Sequence, residues 1–189
     1  MDKRSSPVDK RTEIRLAGEG GQGMILAGII LAEAAAIYDG KQATQTQSYG
    51  PEARGGASRS EVVISDGEID HPEVLSADVV VALSQEAYKK FAQTVNANGL
   101  LIVDEDRVKT SGAFDGIKIP IARIAQETTG RAITANTVAL GVLVGLTNLV
   151  SREAIEKAVT ARAPKGTEEM NRKALQAGFA AAAHVRATT

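Results

Sequence analysis

The chain contains no cysteine and no tryptophan, and only three tyrosines and three phenylalanines among 189 residues. The missing thiols exclude a disulfide framework, an iron–sulfur cluster held by this chain's own cysteines, and a cysteine nucleophile. With His71 and His184 as the only imidazoles, no histidine-rich metal site is expected. No run of 18 apolar residues occurs, and the charged start from Met1 to Arg11 has no apolar heart of a secretory signal, so a cytoplasmic protein is expected. Net charge is −1 without a long block of one sign, which argues against nucleic acid or a membrane surface as partner. The core must come from Ala, Val, Ile and Leu, and the length suits one domain.

What is present alternates between two periods. Residues 1–12 read as a disordered polar tail, and a single domain is expected over 13–186. Glu13 to Ala17 reads as a strand and Met24 to Tyr38 as a helix closed by Asp39-Gly40. Lys41 to Gln47 and Ser58 to Ser65 read as further strands. The unbroken apolar runs Asp78 to Leu83 and Gly99 to Val103 suit strands buried on both faces. Ser84 is placed to cap a helix from Gln85 to about Val95. Beyond Pro120 the pattern is helical: 121–128, 135–149, 151–161 and 167–185. This order predicts an α/β protein: one Rossmann-like domain, a mainly parallel sheet flanked by helices, with a helical C-terminal third.

Gly18, Gly20 and Gly23 fit G-x-G-x-x-G between a strand and a helix. Glycine lets the backbone approach an anion, and a helix N-terminus offers free N–H groups and partial positive charge. The same glycines also suit a turn that merely packs helix on strand. No carboxylate stands at the end of the second strand, where Thr46-Gln47-Ser48 lie, which weakens an NAD reading. The Gly-x-x-x-x-Gly-Lys-Ser/Thr loop of P-loop ATPases is absent. A second loop, Ser48 to Gly56, joins Tyr49, Gly50-Pro51, Glu52, Arg54, Gly55 and Gly56. In a doubly wound sheet it would face the first loop, with Arg54 clamping a phosphate; paired with Glu52, Arg54 would instead be part of a surface turn.

The segments RLAGEGGQG (15–23), QTQSYGPEARGGASRSEVVIS (45–65), DVVVALSQEAY (78–88), LLIVDEDRV (100–108), ANTVALGVLVGLTNLVSREAIEKAV (135–159) and PKGTEEMNRKAL (164–175) together resemble the gamma subunit of the 2-oxoacid:ferredoxin oxidoreductases. The Pro-Glu-Ala-Arg-Gly-Gly form of the second loop most resembles the 2-oxoglutarate enzymes. The resemblance implies a subunit of an enzyme that turns 2-oxoacid, coenzyme A and oxidised ferredoxin into acyl-CoA, carbon dioxide and reduced ferredoxin. It implies alpha, beta and ferredoxin-like cluster subunits as partners, which would carry thiamine diphosphate, magnesium and the iron–sulfur clusters. For this chain it implies a Rossmann-like domain linked with coenzyme A binding and assembly, inactive alone and without a catalytic acid, base or nucleophile.

Carried onto this sequence, the expected ligand-facing residues are Gly18, Gly20, Gly21, Gln22 and Gly23 at the first loop. At the second they are Ser48, Tyr49, Gly50, Glu52, Arg54, Gly55 and Gly56, with Ser84 and Gln85 at the rim. Asn136 could join them but reads better as a helix cap. Asp104-Glu105-Asp106 could hold a hard cation but reads better as a solvated turn. A purely structural assembly subunit is the alternative, and a free-standing NAD-type protein a third reading.

Overall fold

The computed structural model describes residues 10–49, 56–110 and 114–188. Its six strands are β1 (Arg11–Glu19), β2 (Gln42–Ser48), β3 (Ala57–Ser65), β4 (Ala77–Ala82), β5 (Val95–Asp104) and β6 (Ile117–Ile119). They form one sheet in the order β2-β3-β1-β4-β5-β6. Strands β1, β4, β5 and β6 are mutually parallel, while β3 runs antiparallel to both β1 and β2. The mainly parallel α/β sheet expected from the sequence is therefore present, with one antiparallel strand inserted beside β1. Burial on both faces suits β3 to this interior position. Val62 and Ile64 point to one face and Val63 to the other, and all three are buried.

The helices are α1 (Met24–Glu33), α2 (Gln85–Phe91), α3 (Ile121–Thr129), α4 (Ala135–Thr147), α5 (Arg152–Arg162) and α6 (Glu168–Thr188). One face of the sheet, with Ile14, Leu16, Val62, Val79, Val81 and Ile102, packs against α1, α3, α4, α5 and α6. The other face, with Ala17, Val63, Val80 and Val103, packs against α2 through Ala87 and Phe91. Each fully buried aliphatic side chain contributes about 1.5–3 kcal/mol, which is how a core nearly free of aromatics suffices. Helix α4 is buried from Ala135 through Gly145, matching its unbroken apolar sequence. It touches α6 backbone to backbone, because glycines stand on both sides of the crossing.

Several boundaries differ from the sequence reading. Strand β1 starts at Arg11, paired with Ser65, earlier than Glu13. The predicted helix over 24–38 is α-helical to Glu33 and continues as a π-turn, Ala34–Tyr38, in which Asp39 N–H donates to Ala34 O at 3.1 Å. The Asp39 carboxylate then accepts from Ser151 N–H (2.6 Å) and Oγ (2.7 Å), fastening this end to α5. Helix α2 stops at Phe91, and the following 3-10 turn Ala92–Thr94 leads straight into β5. The three-residue β6 has no counterpart in the sequence reading. Among the described residues no helix is long and apolar enough to cross a membrane.

Candidate functional site

Strand β1 sends its helix to one face of the sheet and β4 sends its helix to the other. Between their carboxyl ends the chain parts, which is where open α/β sheets bind ligands. A crevice of about 330 Å³ lies there. Its walls include Gly20, Gly21 and Gln22 of the first glycine loop, Leu83 after β4, Asp104 and Arg107 after β5, and Ile133 before α4. This volume is at the low end of the range for small-molecule sites, roughly 300–1,000 Å³, so it suits one end of a ligand.

The glycines of the first loop divide by role. Gly21 (φ 89°) and Gly23 (φ 74°) adopt left-handed backbone that glycine favours, and Gly23 is the N-cap of α1. A Cβ on Gly18 would fall 2.4 Å from Gln22 Oε1, so Gly18 makes room for that side chain. A Cβ on Gly20 or Gly21 would meet nothing within 4 Å. These two face open space in the crevice. Among the described residues, the N–H groups of Gly20, Gly21 and Gly23 have no hydrogen-bond acceptor. With the first turn of α1, which has no side-chain cap, they form a cluster of free donors.

The Gln22 side chain is directed at its own loop. Its Oε1 accepts from Glu19 N–H at 2.7 Å, and its Nε2 donates to Leu83 O at 3.2 Å. It thus ties the loop to the end of β4. Asn136 has a similar function at the neighbouring helix: its Nδ2 donates to Gly23 O (3.3 Å) and its Oδ1 accepts from Thr137 N–H (2.9 Å). The N-cap of α4 is Thr134, so Asn136 joins the starts of α1 and α4 instead of capping. Two helix N-termini therefore abut at the crevice, and both favour negative charge.

Ser84 and Gln85 are also engaged locally. Ser84 is buried and its Oγ accepts from Ala87 N–H (3.2 Å), capping α2 as its sequence position suggests. Gln85 Oε1 accepts from Lys109 N–H (2.7 Å) and Nε2 donates to Lys109 O (3.3 Å). Neither residue is among those lining the crevice.

Of the second loop, Ser48, Tyr49 and Gly56 are described; the expectations for Gly50, Glu52, Arg54 and Gly55 fall outside the described residues. Ser48 ends β2 opposite Arg59, which pairs on its other side with Ala17 of β1. The two loops thus spring from the same sheet edge with one strand between them. Tyr49 is exposed. Ser48 borders a different recess, on the α2 face, with Arg15, Arg59 and Glu61. There Arg15 Nε donates to Glu61 Oε1 (2.8 Å), its Nη2 donates to Val74 O (3.1 Å), and its Nη1 donates to Thr94 Oγ1. Arg59 lies 3.7 Å from the same Glu61 oxygen and 5.7 Å from the centre of the Phe91 ring.

The acidic triplet after β5 is resolved into separate roles. Asp104 is fully buried and accepts from the N–H groups of Asp106 (3.0 Å), Arg107 (3.2 Å) and Ala122 (2.7 Å). Burial pushes its carboxyl above the ordinary value, and these N–H donors pull in the opposite direction. Glu105 and Asp106 are exposed and face Arg123 at 3.6 and 3.3 Å. No group of three or more carboxylates and imidazoles suits a metal among the described residues. Arg107 is the crevice residue that sequence reasoning passed over, since it reads as an ordinary surface cation at the end of an acidic run.

A larger recess, about 710 Å³, lies at the opposite end of α1, beside Tyr38 and between α5 and α6. Ion pairs within its walls, Lys157 with Glu153 and Arg172 with Glu156, leave it little convergent chemistry.

Comparison with known proteins agrees with this fold. The family model for pyruvate ferredoxin/flavodoxin oxidoreductase matches residues 13–181. A 2-oxoglutarate synthase subunit KorC from Methanocaldococcus jannaschii is 54% identical over 183 residues, spanning 95% of this chain and 97% of that one. A keto/oxoacid ferredoxin oxidoreductase gamma subunit from Geobacter sulfurreducens superposes with a TM-score of 0.84 at 51% identity, covering 93% of this chain and 98% of the other. A 2-oxoglutarate:ferredoxin oxidoreductase from Magnetococcus marinus, with 2-oxoglutarate, coenzyme A and succinyl-CoA bound, superposes with a TM-score of 0.81 at 25% identity. The match covers 93% of this chain but only 31% of that longer one.

Proposed function

The chain belongs to the pyruvate ferredoxin/flavodoxin oxidoreductase family as a gamma subunit of a 2-oxoacid:ferredoxin oxidoreductase, and from that premise we propose that its glycine-loop crevice receives the phosphate-bearing end of coenzyme A. The enzyme it serves is of the 2-oxoglutarate type, which forms succinyl-CoA and carbon dioxide and passes the electrons to ferredoxin. Alpha, beta and ferredoxin-like subunits complete the assembly. Thiamine diphosphate with its magnesium would supply the stabilised carbanion, and iron–sulfur clusters the electron path, on those partner chains. This chain has no cysteine to ligate a cluster.

The carrying observation is the set of free N–H donors at Gly20, Gly21 and Gly23, placed where the N-termini of α1 and α4 meet. Such an arrangement is an anion receptor, and the residues present fit a diphosphate. Gln22 and Gly18 hold the loop in shape, while Gly20 and Gly21 leave the approach clear. Ile133, exposed at the rim, offers an apolar wall to a purine. Arg54 and the glycines of the second loop are proposed as further contacts to the phosphates.

A structural assembly role without a ligand has one observation in its favour. Packing or backbone conformation accounts for Gly18, Gly21 and Gly23 without any ligand. Gly20 separates the two readings. In the purified complex, Gly20→Val should leave assembly intact and weaken coenzyme A binding at least about tenfold by calorimetry. An unchanged dissociation constant in an intact complex would favour the assembly role.

A further inference from the structure

We infer that Arg107 is the cation that takes a phosphate of the ligand's nucleotide end, an inference that rests on the coenzyme A reading of the crevice. Among the described residues, Arg107 is the one basic side chain on the crevice wall. Its neighbours Glu105 and Asp106 are drawn off by Arg123, at 3.6 and 3.3 Å. Among the described residues the guanidinium of Arg107 makes no hydrogen bond or ion pair, and the charge it acts on is the buried Asp104 carboxylate beneath it. Arg107 is exposed and lines the same crevice as Gly20 and Gly21.

The turn that carries Arg107 is fixed from beneath. The buried Asp104 carboxylate accepts from the backbone N–H of Arg107 at 3.2 Å and of Asp106 at 3.0 Å. A second bond reaches back from Arg107 N–H to Asp104 O at 3.3 Å. The other oxygen of Asp104 accepts from Ala122 N–H at 2.7 Å, anchoring the turn to the start of α3. The acidic run therefore serves as a pedestal for a cation. A planar guanidinium carried by this turn grips a phosphate through paired N–H donors in the crevice it shares with the glycine loop.

The test uses the purified multisubunit complex, with coenzyme A affinity measured by calorimetry and the Michaelis constant measured in turnover. Arg107→Gln should raise both at least about tenfold while kcat stays within about twofold, and Arg107→Lys should recover part of the loss. Dephospho-coenzyme A identifies the phosphate. If the variant's defect vanishes with that ligand, Arg107 meets the 3′-phosphate; if the defect persists, it meets the diphosphate. Unchanged affinity in Arg107→Gln, alongside weakened binding in Gly20→Val, would overturn the role of Arg107 and leave the crevice reading standing. Unchanged affinity in both variants would remove the crevice reading and the Arg107 role together.

Discussion

Gly141 of α4 and Gly178 of α6 meet across the helix crossing with no side chain between them. A Cβ on Gly141 would come 2.3 Å from the Leu175 carbonyl oxygen and 2.9 Å from the Gly178 Cα. One on Gly178 would come 2.2 Å from the Val138 carbonyl oxygen. The obstacles are backbone atoms, which cannot swing away. Gly141→Ala and Gly178→Ala should each cost about 2–3 kcal/mol through forced separation of the helices. At roughly 2–4 °C per kcal/mol for a chain of this size, thermal unfolding should shift down by roughly 4–12 °C. A shift below about 1 °C would show that the crossing can relax.

Glycines 20 and 28 should respond in opposite ways. Gly20 faces open space, whereas a Cβ on Gly28 would lie 2.0 Å from Ser60 Oγ and 2.7 Å from Ser60 Cβ, between α1 and β3. Gly20→Ala should leave the melting temperature within about 2 °C, since exposed positions free of special geometry change stability by about 0.5 kcal/mol at most. Gly28→Ala should destabilise by about 1–3 kcal/mol, and Gly28→Ala with Ser60→Gly should recover part of that loss. Equal melting temperatures for the two single alanine variants would contradict this division.

The Arg15–Glu61 pair lies almost wholly inside, with side chains 7% and 10% exposed and an Nη2–Oε1 distance of 2.6 Å. Removing one member leaves the other charge in a poorly solvated site. Glu61→Gln should therefore cost about 3 kcal/mol in urea denaturation, strengthened by Arg59 losing the same partner. Joint replacement, Arg15→Met with Glu61→Leu, should cost less than the sum of the two singles. Strict additivity would mean that the pair acts as two independent residues.

The buried carboxyl of Asp104 sets a pH dependence of defined sign. Its folded-state value is raised above the ordinary 3.8 because burial disfavours the charged form. Its contribution is complete below that ordinary value and declines as pH rises through the raised folded value. The wild-type melting temperature should accordingly fall relative to that of Asp104→Asn as pH climbs from about 4 across the acidic range, then hold a constant difference. A difference that grows in the other direction would indicate that the N–H donors of Asp106, Arg107 and Ala122 outweigh burial.

Local chemistry made much of this legible in advance. The turn between β1 and α1 could be read because its strand, glycines and helix are neighbours in sequence, as could the Ser84 cap, which accepts from the N–H three residues on. What could not be read depends on distant partners. The insertion of β3 between β2 and β1 is a matter of pairing, and nothing in Ala57–Ser65 announces which strands it will join. Three residues of β6 are too few for a periodic signal. Gln22 looks like a ligand group until Leu83, 61 residues away, accepts from its amide. Asp104 looks solvated until Ala122, 18 residues away, donates to it. Arg107 had no distinguishing pattern at all; its place follows from three elements meeting at one edge.

The pairing of β2 with β3 has a consequence for how such a chain can change. Seven paired positions on one side, from Gln42↔Ser65 to Ser48↔Arg59, and nine on the other, from Arg11↔Ser65 to Glu19↔Ala57, lock the registers of both legs. Whatever is inserted or removed between Tyr49 and Gly56 is therefore absorbed at the connection and cannot slide a strand, because a slip of one residue would turn Val62 and Ile64 out of the core. The paired legs work as a fixed handle.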